Sequence, residues 1–167
     1  MAQLEKQLVV KRSTIPNSGK GLFTKKFIPK GTHIVEYKGR ISTWSEVKDD
    51  DGKNGYIFYV TRNHVIDALP HKKALARYAN DARGFVKVKG VTNNCDYVVD
   101  GKKAFIESKR DIPAGSEIFV DYGKDYWKVI KENLKTAENG KGKSGKKTKR
   151  SKKTKKKRTA KRTEHVR

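Results

Sequence analysis

Cysteine is almost absent from the 167 residues, and that scarcity removes two classes of protein at once. A single thiol, Cys95, excludes an internal disulfide framework and any zinc site built from clustered cysteines. No apolar run approaches the roughly 20 residues that a helix needs to cross a bilayer, so no membrane is expected as a partner. The opening Met1-Ala2-Gln3-Leu4-Glu5-Lys6 lacks a signal-peptide core, so the chain is expected to stay inside a cell. Acidic residues are also scarce, 18 against 41 lysines and arginines, for a net charge of +23. Residues 141–167 hold 15 cations and one acid, Glu164, a net +14; residues 1–140 hold 26 and 17, a net +9.

The charge therefore divides the chain into a moderately basic domain, expected over residues 1–138, and a Lys/Arg-rich tail over 139–167. A domain of this size can bury a real core. Val166 is the one large apolar residue after Lys141, so the tail cannot offset its ordering entropy by burial and is expected to be disordered alone. Runs such as Lys155-Lys156-Lys157-Arg158 suit phosphates, which predicts salt-sensitive binding of nucleic acid. The tail has no aromatic residue to stack on bases, so that binding should be sequence-blind.

Between residues 8 and 124, short β-rich runs alternate with turn signals at spacings of about ten residues, which predicts a mainly β domain of several small sheets. Strands are expected at Leu8–Lys11, Gly21–Thr24, Thr32–Tyr37, Tyr56–Val60, Val65–Ala68, Tyr97–Asp100, Lys102–Glu107 and Ser116–Asp121. One helix is expected after Gly123, capped by Asp125, with Tyr126, Val129, Ile130 and Leu134 on one face. Nothing alternates in a βαβ pattern, which disfavours a doubly wound nucleotide-binding fold.

Four segments carry candidate chemistry: Ser18-Gly19-Lys20-Gly21-Leu22-Phe23, Arg77-Tyr78-Ala79-Asn80-Asp81-Ala82, Asn93-Asn94-Cys95-Asp96-Tyr97 and Ile118-Phe119-Val120-Asp121-Tyr122-Gly123. Glu107, Asp111 and Glu117 read as solvated charges, Asp121 as a backbone-bonding strand end, and Cys95 as a buried small residue. With Gly31 to Gly39, Ile66-Asp67-Ala68 and the run from Asp111 to Gly123, these segments fall in an order that resembles the SET-domain protein lysine methyltransferases, over residues 8 to about 130. The resemblance implies a fold of several small curved sheets with a knot-like crossing, one C-terminal helix and no cysteine-rich module after it. It implies S-adenosylmethionine as methyl donor, a lysine side chain as acceptor and no metal. By position, Lys20, Gly21, Leu22, Tyr78, Asn80, Asp81, Tyr122 and Trp127 are expected to hold the cofactor. Tyr122, Tyr97 and Tyr37 are expected to line the lysine channel, with Tyr122 catalytic.

Product specificity follows the same resemblance. Tyr97 supplies a hydroxyl that limits room for added methyls, while Val120 is apolar and small; this mixed lining favours mono-methylation, with di-methylation allowed. The expected substrate is a histone or histone-like protein associated with nucleic acid, which directs the chain to a nucleus, its own or a host's, or to a bacterial nucleoid. Oligomeric state is left open, a homodimer included. Asp81-Ala82 stands where the family has His-Ser, and this departure favours the alternative of a non-enzymatic chromatin or nucleoid binder on a decayed domain.

Overall fold

The computed structural model describes residues 4–141. The tail expected from residue 139 lies, beyond Lys141, outside the described residues. Nine strands form three small antiparallel sheets. They are β1 (Leu8–Arg12), β2 (Lys20–Thr24), β3 (His33–Glu36), β4 (Arg40–Ser42), β5 (Ile57–Thr61), β6 (His64–Asp67), β7 (Cys95–Asp100), β8 (Lys103–Ser108) and β9 (Glu117–Ile118). The sheets order as β1-β2-β9, β3-β8-β7 and β4-β6-β5. An 18-residue helix, α2 (Lys124–Lys141), closes the described chain. A four-residue α1 (Trp44–Val47) and three 3-10 turns add to the single helix expected from sequence.

The local causes are readable. The β1–β2 hairpin turns through Asn17 and Gly19, both at positive φ, and Ser13 N–H closes it onto the Gly19 carbonyl at 2.9 Å. Asp67, buried at the end of β6, accepts from Asn54 Nδ2 and Leu69 N–H and pairs with Arg40, each at 3.0 Å. That carboxylate fixes the turn leaving the third sheet and gives the Ile66-Asp67-Ala68 element a structural role. Leu22, Ile28, Ile34, Tyr37, Phe58, Ile106, Ile112, Ile118 and Val120, all 2 % exposed or less, form one core between the sheets. Burial of this kind is the main favourable term in folding.

Two differences from the sequence reading bear on the site. The strand expected over Ser116–Asp121 pairs in the β1-β2-β9 sheet only at Glu117 and Ile118; Phe119 and Val120 instead make parallel bridges to Asn80 and Cys95. Helix α2 begins at Lys124, so Asp125 sits in its first turn and faces the positive end of the helix dipole instead of capping from outside. Tyr126, Val129 and Ile130 are half-buried, but Leu134 is 50 % exposed, and the helix is exposed from residue 131 through 138.

Candidate active site

Residues 117–123 are the spine of the site. Val120 N–H donates to the Asn80 carbonyl at 2.8 Å, while Asn94 and Cys95 N–H both donate to the Phe119 carbonyl on the other edge. The Asn94 amide reinforces that edge, donating to the Glu117 carbonyl and accepting from Phe119 N–H. The spine thus lies between the segments around Asn80 and Asn94, and this is the crossing that the ordered motifs imply. Gly123, at φ 87°, turns the chain from the spine into α2.

Asp81 is buried, and four donors fill its carboxylate. Oδ1 accepts from Arg83 N–H and Asn93 Nδ2, each at 2.8 Å; Oδ2 accepts from Tyr122 N–H at 3.0 Å and Trp127 Nε1 at 2.8 Å. A carboxylate offers about four acceptor sites, so this group is fully used. Asn93 answers by accepting from Ala82 N–H at 2.8 Å. The residue that departs from the family pattern is therefore the one that joins Tyr122 to Trp127. Those two rings stack at 5.9 Å between centroids, with Tyr126 edge-on to both at 5.1 Å and Phe85 edge-on to Trp127 at 5.2 Å. The Tyr122 hydroxyl donates to the Ala79 carbonyl.

Asn80, Asp81, Tyr122 and Trp127 line a cleft of about 280 Å³, with Ile15, Pro16, Asn17 and Ser18 across from them. A neighbouring groove of about 780 Å³ shares Ile15, Pro16 and Asn17 and includes Lys20. Lys20 is exposed, its ammonium 6.0 Å from the Tyr78 ring centre. Its carbonyl receives Asn80 Nδ2 at 2.9 Å, which ties the first glycine-rich segment to the second motif. Leu22 is wholly buried and can offer only backbone toward a ligand. Gly21 has a different constraint: a Cβ there would sit 2.1 Å from Glu117 Oε1, so any larger residue must push that carboxylate off its partners.

Glu117 corrects the sequence reading of a solvated charge. It is 5 % exposed and accepts from Ser13 Oγ (2.7 Å), Thr14 N–H (2.7 Å), Thr14 Oγ1 (2.6 Å) and Asn80 Nδ2 (3.3 Å). Glu107 pairs with His33 at 2.7 Å, and Asp111 accepts from Lys30 N–H. Asp121 accepts from Gly123 N–H, as expected of a strand end, and also pairs with Arg83 at 3.0 Å. Glu117 stood in an apolar strand beside Ile118, and that context was the available signal for burial.

The remaining tyrosines form a second group. Tyr37 is 1 % exposed and donates to the Tyr56 carbonyl at 3.1 Å. Its ring lies 5.8 Å from Tyr97 and 5.5 Å from Phe58, which is 5.1 Å from Tyr97. Phe58 completes this aromatic triangle and was not singled out from sequence. The parallel bridge between Cys95 and Val120 puts Tyr97 and Tyr122 in step, each two residues past the paired position. Tyr97 is thus related to Tyr122 by register, while Tyr37 joins through Tyr97.

Cys95 lies at this bridge, fully buried. Burial pushes its thiol up from 9.0 to about 12, with Asp96 adding to the shift. The folded protein keeps this proton where the unfolded chain releases it, so stability is lost as pH rises through the window from 9.0 to about 12. The expected slope is about 1.4 kcal/mol per pH unit. Urea unfolding across this window should show the slope in the wild type and a flatter one in Cys95→Ala. Equal slopes would sink the assignment. Native Cys95 should also resist alkylation until denaturant is added.

Among the described residues, no three His, Cys, Asp or Glu side chains gather as a metal site requires, and no helix is long and apolar enough to cross a membrane. Three small sheets around a crossing, with an aromatic cleft behind it, define a class that sequence comparison also finds. Residues 19–123 match the SET domain, and the chain belongs to that family. It is 27 % identical over 123 residues to N-lysine methyltransferase KMT5A-A of Danio rerio, covering 65 % of this chain and 33 % of that protein. It is 29 % identical over 128 residues to histone-lysine N-methyltransferase set-1 of Caenorhabditis elegans, covering 69 % and 50 %. Histone-lysine N-methyltransferase EZH2 of Chaetomium thermophilum is 27 % identical over 146 residues, covering 80 % and 9 %. The chain spans half or less of the length of these relatives.

Proposed function

We propose that this chain is an S-adenosylmethionine-dependent protein-lysine N-methyltransferase. The observation that carries the reading is the Asp81 carboxylate, which fastens Tyr122 and Trp127 together on one wall of the cleft. The residues present fit the cofactor. Trp127, Tyr126 and Phe85 offer apolar faces for an adenine, and Lys20 with the Asn80 region offers charge and polar groups for an amino-acid end. Gly21, Leu22 and Tyr78 would contribute through backbone and packing beside Lys20.

When bound, S-adenosylmethionine supplies a methyl group on a sulfonium, open to attack by a neutral amine. The chain's own task is to deliver that amine. A lysine amine has a pKa near 10.4, so the walls must favour the uncharged form. The Tyr37, Phe58 and Tyr97 rings do so by desolvation, and the released proton passes to solvent. Tyr122 then orients the nitrogen, the positioning a displacement requires.

Substrates are proposed to be histones or histone-like proteins, with mono-methylation the main product, because a hydroxyl such as that of Tyr97 would limit the room for added methyls. The tail would tether the enzyme to nucleic acid, in a nucleus or a nucleoid. The buried, fully bonded Asp81 supports an intact site over a decayed, purely binding domain. Labelled methyl transfer to purified core histones, followed by mass spectrometry, tests the reading, and incorporation dominated by a single methyl per lysine is expected. No transfer to any basic protein, the chain's own tail included, would return the binder alternative. Mainly trimethyl product would refute only the degree of methylation.

A further inference from the structure

The solvent side of α2 carries a stripe of like charge. Lys124, Lys128, Lys131 and Lys135 recur at i, i+4, i+7 and i+11, so they share one helical face, and all four are exposed. Across from them, the loop after Asp81 presents Arg83 and Lys87, also exposed. The two elements border a groove of about 540 Å³ that reaches Gly84 and Trp127 at the back of the cofactor cleft. Asp121 and Glu132 are the carboxylates in its lining, and Asp121 is already paired with Arg83 at 3.0 Å. Six cations against two carboxylates leave the groove at +4.

We propose that this groove docks the phosphate backbone of duplex nucleic acid. Lysines three and four apart on a helix repel one another, so Lys124 with Lys128, Lys128 with Lys131 and Lys131 with Lys135 weaken α2 until an anion sits among them. The stripe rises about 16 Å along the helix, close to the span of about five phosphates on one strand. Acidic proteins are held largely through buried apolar anchors, and the groove offers only Trp127 as one. Regularly spaced phosphates need no more than the cations already there. Helix α2 is also followed in sequence by the Lys/Arg-rich segment, which carries charge of the same sign. The proposal does not rest on methyl transfer, and every residue of the groove lies within residues 83–135.

The test uses the full chain and a short mixed-sequence DNA duplex, with fluorescence anisotropy read against salt. Combined K124Q, K128Q, K131Q and K135Q should weaken binding about tenfold near physiological salt and lower the log–log salt slope by about 3 to 4. A charge-matched control, K26Q with K30Q, K72Q and K102Q, should keep most of the affinity and slope. Lysine acetylation footprinting of the wild type should show duplex-dependent protection at Lys124, Lys128, Lys131 and Lys135. Unprotected groove lysines, or an equal loss in the control, would overturn the proposal. Polyglutamate binding as tight as duplex binding, and lost in the same quadruple variant, would assign the groove to acidic proteins instead and equally overturn it.

Discussion

Tyr122→Phe should lower methyl transfer by about 100-fold or more while leaving the protein folded. The Tyr122 hydroxyl donates to the Ala79 carbonyl, which fixes the direction of its O–H, and on the proposed reading its oxygen positions the amine of an entering lysine. Phenylalanine keeps the ring that stacks on Trp127 and removes the hydroxyl alone. Loss of a single positioned polar group in an active site costs about 10²- to 10³-fold. The structural cost is smaller, because one buried carbonyl loses its donor, at about 1 kcal/mol. Such a loss lowers Tm by only about 4 °C. Initial rates with saturating cofactor, beside a thermal scan, separate the two effects. A variant within tenfold of wild type in rate would remove Tyr122 from the chemistry.

The second large effect belongs to Asp81. Asp81→Ala strands the Arg83 and Tyr122 N–H groups, the Asn93 amide and the Trp127 indole together. Unpaired buried donors cost about 1–3 kcal/mol each and do not add simply. A loss of about 3 to 5 kcal/mol is expected, a large share of the roughly 5–15 kcal/mol that holds a domain. Asp81→Asn should recover half at best, since its oxygen can serve one pair of donors while its NH₂ meets the other pair. Urea unfolding measures the loss. Cofactor affinity and the environment of Trp127, read by fluorescence, should fail in parallel. An Asp81→Ala protein with the wild-type urea midpoint would show that the carboxylate does not hold the site together.

The fold class was legible because short β-rich runs alternate with turn residues at spacings of about ten residues. β4 was not legible: Arg40-Ile41-Ser42 is three residues long, two of them exposed, and becomes a strand only by pairing with β6. The run after Ser116 read as one strand because Ile118-Phe119-Val120 is continuously apolar and β-prone. Its partners change along its length, from β2 to Asn80 and then Cys95, and no local pattern encodes such a switch. At the site, Asn80, Tyr122 and Trp127 stood out through their ordered motifs. The roles of Asp81 and Glu117 did not, because a carboxylate's meaning depends on donors brought from 41 and 104 residues away. Asp81 read as a loss from the family pattern; in the fold it is the group on which the cleft converges.

The spine of residues 117–123 also sets when the protein can work. Ser13 meets Glu117 across 104 residues, Ala79 meets Tyr122 across 43, and Asp81 meets Trp127 across 46. Contacts so distant along the chain close late and slowly. A nascent polypeptide leaving the ribosome can pair β7 with β8 as soon as both have emerged. The cleft that Trp127 completes, proposed to take the cofactor, cannot form until Trp127 is clear of the exit tunnel. The cleft is therefore completed in one step, after the rest of the domain has emerged.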